Sequence, residues 1–462
     1  MEKNRAYSVL ELIGWGKYNR FIFIQCGLAW STFNIWFVNI GYIIQGITKE
    51  WNIDTFQAGI IGSFFQFGLL SGCLLWGFIG NKYGRMKAFK NTAVIASIGS
   101  ILLTLSPNPF VVAGGLYVLG FGLAGEMAIG GIVFYEFCPP SKRYYMTLLS
   151  LFLSVGSTLT TVIALLVSLL NSSPFYNWRI IVAISSVFEI LTMIFRFFMH
   201  ETPAFLISQN KQLAANRLLS TISMINTGKA LDEPGDSASV NPNEFTKEIG
   251  NEDEQEDKQK LIVKKENPIA VLFKVPLRKV TFTIGAVYFL AAAGLSGYLY
   301  FMPEFLSEFS TSTAYMIIVV QQVCGVPGCL MNSWIVETRL GRRYATLISY
   351  FFSGVFIFIF GFNNDFWFVL IISSVAFLFV MSGYSSMMTI APESYPTSSR
   401  MYGMTALTVC SRSGGMLSPI ITGYLLEIPN GKIISFILFF ASFALAGILI
   451  LLVKETKGKK TG

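Results

Sequence analysis

The residues of this chain that could do chemistry are few and lie within apolar runs. Arg412 occupies the middle of one such run, close to Gly414, Gly415 and Pro419. A charge inside a membrane is costly, so an arginine in a spanning run is a functional hypothesis by default. Its guanidinium could donate two parallel hydrogen bonds to a carboxylate or phosphate. The sequence therefore predicts an anion-binding residue, or alternatively a structural arginine paired with a buried acid such as Glu126.

Two acidic residues also lie inside apolar runs. Glu126 follows a glycine-rich stretch, and its carboxyl group could carry a coupled proton. Glu189 lies deep in the sixth run, where either a partner subunit or a protonated side chain would account for it. Arg179, Arg196 and His200 lie near the ends of runs, and we expect these long side chains to reach the lipid headgroups.

Uncharged polar and aromatic side chains in the same runs could line a central cavity. Together with Arg412 and Glu126 they form the predicted substrate-binding set: Asn34, Asn39, Tyr288, Tyr298, Gln321, Gln322 and Tyr384, with Gln45 and Tyr300 as further candidates. Because the chain contains 42 phenylalanines, no single Phe is informative alone.

Composition identifies the surroundings of these residues. Of 462 residues, 53% are hydrophobic and only 13% are charged, and the net charge is +8. A soluble protein carries about 25% charged residues, so this composition predicts an integral membrane protein. A single histidine and the lack of a Cys-x-x-Cys pair argue against a metal site or an enzyme. We expect no cofactor and no nucleic-acid partner, because the basic excess is typical of membrane-protein loops.

Apolar runs of spanning length, about 20 residues, indicate an all-α membrane protein of twelve transmembrane helices in two six-helix halves. The runs are 21–47, 56–80, 88–106, 110–134, 146–170, 178–199, 280–302, 314–336, 344–361, 366–390, 404–426 and 433–453. Lysine and arginine gather in alternate loops, and both chain ends are basic. The positive-inside rule therefore places both termini on the cytoplasmic side of the membrane, which is that of either the cell surface or an organelle.

The chain divides into residues 1–201, 202–276 and 277–462. The first and last parts are the six-helix halves. In the middle part, 204–224 has helical spacing with basic residues and predicts a helix along the membrane surface. Residues 232–257 are acidic and rich in Pro, Gly, Ser and Asn, so we expect a disordered linker there.

Loop motifs recur at matching places in the two halves. Gly77-Phe-Ile-Gly-Asn-Lys-Tyr-Gly-Arg85 follows the second run, and Glu337-Thr-Arg-Leu-Gly-Arg-Arg343 follows the eighth. These loops resemble the G-x-x-x-D-x-x-G-R-K/R loop of the major facilitator superfamily. Further motifs at 120–126, 136–143, 201–206 and 392–400 resemble the branch of synaptic-vesicle-glycoprotein-like proteins, organic ion transporters, and niacin, phosphate and aromatic-acid transporters. Departures include Asn81 in place of the family's Asp and Leu116 where Arg is common.

The charged loop residues predict a gate where helices leave the bilayer. Opposed charges there could bridge neighbouring helices while the cytoplasmic side is shut, and breaking the bridges would open it. The alternative is that these positive loops only set topology. The gating set is Asn81, Gly84, Arg85, Glu136, Arg143, Gly341, Arg342, Arg343, Glu393 and Arg400.

The resemblance implies a secondary transporter in which two halves alternate access to a midplane site. Arg412 favours a small organic anion or carboxylate as cargo, by uniport or proton-coupled symport. The other interpretation is a transport-inactive structural or accessory subunit of a larger membrane complex, so other membrane subunits stay candidate partners beside the lipid bilayer.

Overall fold

A computed structural model describes residues 2–142, 145–170, 177–209, 211–229, 277–337, 341–396 and 400–453. Twelve long helices dominate these segments. They are α1 Lys17–Trp51, α2 Thr55–Tyr83, α3 Arg85–Thr104, α4 Pro109–Phe137, α5 Leu151–Leu170, α6 Asn177–Arg196, α7 Leu277–Tyr300, α8 Thr311–Glu337, α9 Gly341–Phe360, α10 Phe366–Glu393, α11 Arg400–Glu427 and α12 Gly431–Ile450.

The twelve helices confirm the predicted fold class. Each coincides with one of the predicted apolar runs, and in the described chain ten of them are long and apolar enough to cross a membrane. The other two, α3 and α11, contain more polar residues. Six helices precede the 230–276 interval and six follow it.

Helices within each half approach closely at glycines. A side chain added at Gly68 of α2 would come within 2.2 Å of the Tyr117 carbonyl oxygen on α4. In the second half, one added at Gly414 of α11 would come within 2.2 Å of the Phe289 carbonyl oxygen on α7. Small residues of this kind allow the backbone-to-backbone contact that holds membrane helices together.

The turns that join α2 to α3 and α8 to α9 share an unusual backbone. Gly84 precedes α3 with φ +115°, and Gly341 begins α9 with φ +72°. Both conformations strongly favour glycine. The recurrence supports the internal duplication that the sequence motifs indicate.

The two halves are held together at the end of the bundle opposite the chain termini, which we call the far end. Gln45 of α1 donates to the Pro303 carbonyl oxygen (3.2 Å) and accepts from the Tyr315 hydroxyl (3.2 Å). Glu427 of α11 accepts from the backbone N–H of Phe56 (2.8 Å), at the start of α2. A side chain added at Gly59 of α2 would also meet the α11 backbone at 2.3 Å.

We call the other end of the bundle the termini end. Between described residues, hydrogen bonds that join the halves occur at the far end or in the middle of the bundle. Phe78 of α2 and Trp334 of α8 are exposed near the termini end, and the space beside Gly77 is open. The hydrophobic cluster on this side of the first half contains no residue of the second half among those described. Among the described residues, the hydrogen bonds that join the halves thus lie at the far end and in the middle of the bundle.

Two helices, Pro203–Ser208 and Gln212–Thr227, stand where one surface helix over 204–224 is predicted, so that prediction is wrong. Thr202 caps the first of them by accepting from the Phe205 N–H (3.4 Å). Leu218, Leu219 and Ile222 are buried against the first half, because the apolar face packs on protein instead of lipid. The predicted linker 232–257 lies outside the described residues.

Candidate functional site

Arg412 lies in the middle of the bundle, between the two halves. Its guanidinium stacks over the Phe33 ring of α1 (5.1 Å to the ring centre) and interacts with the Cys73 thiol of α2 and, electrostatically, with Tyr384 of α10. The side chain is partly exposed, and its Nε has no hydrogen-bond partner. Within the described chain no acidic side chain pairs with it. The site thus presents a cation with unused donors beside an aromatic face.

Gln66 of α2 is a site residue that the sequence reasoning missed. Its amide nitrogen donates to the Tyr300 hydroxyl (2.9 Å) and the Ser296 hydroxyl (3.3 Å), both on α7. Gln66 is buried, and its Oε1 has no partner among the described residues. Its signal was a side-chain amide in the middle of the apolar run 56–80, of the kind that drew attention to Gln45.

Several other predicted cavity residues make contacts inside one half. Asn34 donates to the Leu153 carbonyl oxygen of α5 (2.5 Å), and Asn39 donates to the Ser185 hydroxyl of α6 (2.9 Å). The Tyr288 hydroxyl donates to a carbonyl oxygen of α10 (3.3 Å). Tyr298 packs edge-on against rings of α9 and α12. The structure does not bring these four side chains together around Arg412.

Gln321 and Gln322 of α8 are buried amides with spare hydrogen-bonding capacity. Both are at most 1% exposed. Both amide atoms of Gln321 and the nitrogen of Gln322 have no partner among the described residues. Unsatisfied buried amides are uncommon in folded proteins, which makes this stretch of α8 a second polar feature of the bundle interior.

Glu126 pairs with Arg196, so the alternative pairing with Arg412 is wrong. The two oxygens of Glu126 contact the Arg196 nitrogens Nη1 (2.8 Å) and Nη2 (3.1 Å). Thr32 of α1 donates to the same carboxylate (3.2 Å), and the guanidinium stacks on the Phe89 ring (4.2 Å). The expectation that Arg196 reaches the headgroups is also wrong, because α6 packs against α3 and the fully buried side chain reaches across to Glu126 on α4.

Glu189 lies in the same cluster. It is fully buried on α6, seven residues before Arg196 and therefore on the same helical face. The indole N–H of Trp36 donates to its Oε2 (3.3 Å), and its carboxyl group interacts electrostatically with Glu126 and Arg196. The first half thus holds two carboxyl groups and one guanidinium with no exposure to solvent.

The charged residues at the termini end pair within each half. Arg85, at the start of α3, contacts Glu136 near the end of α4 (3.2 Å). Arg342, at the start of α9, contacts Glu393 at the end of α10. Arg343 donates to the Leu451 carbonyl oxygen. Each of these bridges joins two helices of the same half. That these residues form a gate stays a prediction.

Other features of this end stabilise the same turns. Glu201, after α6, accepts from the Met86 N–H (3.1 Å) and covers Gly84. Tyr395, after α10, donates to the Thr281 hydroxyl (3.3 Å), and burial raises the pKa of this phenol. The side chains of Asn81 and Arg400, and the whole of Arg143, lie outside the described parts of the chain.

Comparison with known proteins identifies the family. The profile of the sugar (and other) transporter family matches residues 22–461. The chain is 24% identical to organic cation/carnitine transporter 7 of Arabidopsis thaliana, over 98% of this chain and 94% of that protein. It is 21% identical to the niacin transporter NiaP of Acinetobacter baylyi, over 98% of each.

A solved structure agrees with this fold. The xylose transporter XylE of E. coli, in a partially occluded inward-open conformation, superposes with a TM-score of 0.73 at 16% identity, over 96% of this chain and 99% of that one. The profile match spans nearly the whole sequence, and the observed twelve-helix bundle is that of a secondary transporter. The chain therefore belongs to the sugar (and other) transporter family of the major facilitator superfamily.

Proposed function

We propose that this transporter carries a small organic anion, with a carboxylate as the group it recognises. The observation that carries the proposal is Arg412 itself, a partly exposed residue between the halves whose buried Nε has no hydrogen-bond partner and which pairs with no acidic side chain among the described residues. A carboxylate could accept hydrogen bonds from it in the fork geometry that arginine favours. The free amide oxygen of Gln66 could accept a hydrogen bond from a hydroxyl or N–H group elsewhere on the cargo.

The geometry of the bundle supports alternating access to this site. Arg412 lies between the halves, which hydrogen bonds join at the far end. We infer that solvent and cargo reach it from the termini end. If the termini face the cytoplasm, as the basic loops favour, this is an inward-facing state. The names of relatives do not choose the charge of the cargo, since they include a cation/carnitine and a niacin transporter.

The test is uptake into proteoliposomes that contain the purified protein. A panel of labelled small carboxylates, cations and sugars is offered to the parent, Arg412→Ala and Arg412→Lys. Lys432→Ala is the matched control, because that cation is partly exposed at the far end and pairs with Glu308. We expect carboxylate uptake that falls about tenfold or more in Arg412→Ala, since a hydrogen bond to a charged group contributes about 1.5 to 3 kcal/mol.

The variants separate recognition from folding. Arg412→Lys should keep part of the uptake because the charge remains and only the fork is lost. Uptake of cations that is unaffected in Arg412→Ala would contradict the proposal. A folded protein that moves no compound of the panel and purifies within a larger complex would instead identify an accessory subunit.

A further inference from the structure

We propose that a cavity at the termini end of the first half binds the headgroup of an anionic phospholipid. The cavity has a volume of about 570 Å³ and is formed by the residues that follow α6 and by the two short helices, Pro203–Ser208 and Gln212–Thr227. The residues of its lining that matter here are His200, Leu206, Lys211, Leu213, Arg217 and Leu218. This site is separate from Arg412 and does not depend on the cargo.

Two cationic side chains line the cavity. Lys211 precedes the second short helix, and Arg217 lies in the second turn of that helix. Both residues are exposed, and neither forms an ion pair with an acidic side chain of the described chain. The oxygens of a phosphate group accept hydrogen bonds from such donors, and an arginine can contact two of them at once. The ring of His200, which is also exposed, adds a further N–H donor.

Glu201 is the acidic residue of this lining, and its carboxylate is engaged by the backbone. Its Oε1 accepts hydrogen bonds from the N–H groups of Met86 (3.1 Å) and Thr202 (3.1 Å). Met86 lies in the first turn of α3, where the partial positive charge of the helix terminus offsets a carboxylate. The cavity therefore keeps an excess of positive charge for an anionic ligand.

The cavity lies directly after the lipid-facing side of α6. Val187, Leu191, Ile194 and Phe198 are exposed and repeat at intervals of three or four residues, so they form one apolar stripe. In a bundle that spans a membrane, an exposed apolar stripe of this kind faces lipid. The stripe ends two residues before His200. The cavity is therefore placed where the chain leaves the hydrocarbon, at the depth of the headgroups.

Apolar side chains beside the cations favour a lipid over other anions. Leu206, Leu213 and Leu218 belong to the lining, and Leu213 is 65% exposed, so an acyl chain could contact it. Basic residues next to apolar surface are typical of sites that bind anionic lipids. The acidic segment 232–257 of this chain matches the charge of the cavity but contains few large apolar residues. A phospholipid matches both the charge and the apolar surface.

The start of the second short helix supports the same ligand. Leu213 and Ala214 of its first turn line the cavity, and the Lys211 side chain does not cap the helix. The N–H groups and the dipole at the start of a helix favour an anion. A headgroup bound here would contact residues on both sides of the junction between α6 and the short helices. We therefore expect the bound lipid to stabilise the folded protein.

The first experiment measures lipid binding to the full chain in detergent micelles. Phosphatidylglycerol, or phosphatidylcholine with the same acyl chains, is added, and thermal unfolding is followed. Native mass spectrometry counts the lipids that stay bound when the micelle is removed. We expect phosphatidylglycerol to raise the melting temperature and to stay bound. Equal stabilisation and equal retention of phosphatidylcholine would overturn the proposal.

Paired variants test the two cations. Lys211→Ala combined with Arg217→Ala should weaken the affinity for phosphatidylglycerol about tenfold or more, because each basic residue near an anionic surface contributes about fivefold. The short helix should persist, since alanine is the best helix former. Lys17→Ala combined with Lys229→Ala is the matched control, because these exposed lysines of the same half lie outside the lining. An affinity of the first pair that equals the parent's would also overturn the proposal.

Two further measurements separate the lipid from other occupants. Glycerol phosphate should not displace phosphatidylglycerol, and Leu213→Asn should weaken lipid binding because an apolar contact is lost. Displacement by glycerol phosphate with no effect of Leu213→Asn would instead identify a site for soluble phosphates. Neutralising the acidic residues of 232–257 should leave the affinity for phosphatidylglycerol unchanged. A clear rise would show that this segment competes for the cavity as its occupant, and would overturn the lipid site.

Discussion

Removing Arg196 should be among the most damaging single substitutions in the first half. The side chain is fully buried, makes two contacts with Glu126 and stacks on Phe89. Arg196→Gln would leave two carboxyl groups buried with no cation. Breaking a buried ion pair by removing one partner costs about 3 to 5 kcal/mol. We expect a loss of that size in the free energy of unfolding.

The matched substitution at Glu189 makes the reasoning sharp. Glu189→Gln removes one acid from a cluster that has one too many, so Glu126 and Arg196 stay paired. The expected loss is within about 1 kcal/mol, the cost of a changed hydrogen bond to Trp36. The test is the difference between the free energies of unfolding of Arg196→Gln and Glu189→Gln. A large difference indicates that Arg196 is needed by the buried acids, whereas one of those acids can be removed at little cost.

Unfolding in mixed micelles, followed by tryptophan fluorescence at several pH values, measures both losses. In Arg196→Gln the folded state must bind protons that the unfolded chain releases, so the folded state holds more protons. Its stability should therefore fall as the pH rises. Two results would refute the idea that Arg196 is the one cation that compensates these buried acids. One is equal stability of Arg196→Gln and Glu189→Gln, and the other is a loss of stability in Arg196→Gln that does not change with pH.

Three further substitutions test the two ends of the bundle. Glu427→Gln should weaken the contact with Phe56 by about 1 kcal/mol and increase labelling of a cysteine placed at the far end; unchanged labelling would exclude this carboxylate from far-end closure. Gly84→Ala should lower the yield of folded protein, because φ is +115° and the new methyl group would meet Glu201 at 2.6 Å; a normal yield and melting temperature would contradict the backbone argument. A double-mutant cycle on Arg85 and Glu136 should give a coupling of about 1 kcal/mol or less, because the pair is partly exposed; a coupling several times larger would show that the pair does more than join α3 to α4.

The helices could be predicted from the sequence because lipid imposes a simple rule on them. A backbone that crosses hydrocarbon must satisfy its own hydrogen bonds, so each apolar run of sufficient length becomes a helix. The predicted run 366–390 is α10 Phe366–Glu393 almost to the residue, and 433–453 is α12 Gly431–Ile450. Outside lipid the rule does not apply, which is why the predicted helix over 204–224 is two helices.

The pairing of charges could not be predicted, because it depends on which helices become neighbours. Arg196 is near the end of its run, and from the sequence its long side chain could reach either headgroups or interior. The structure places the side chain in the interior, because α6 packs against α3 and α1 and Arg196 reaches Glu126 on α4. Glu189 had no explanation for the same reason, since its neighbours Trp36 and Glu126 are on two other helices.

The pairing of Glu126 with Arg196 changes the interpretation of Arg412. In the sequence, Glu126 was a candidate partner for Arg412, so the mid-helix position of Arg412 was also consistent with a structural ion pair. The structure assigns that acid to Arg196, and Glu189 shares the same cluster inside the first half. Both acids that lie deep in apolar runs are thus committed, and Arg412 faces Phe33 and Cys73 instead. A cation in the membrane interior with no acidic side chain paired to it among the described residues needs an anion from elsewhere, and the proposed access from the termini end is the route by which one could arrive.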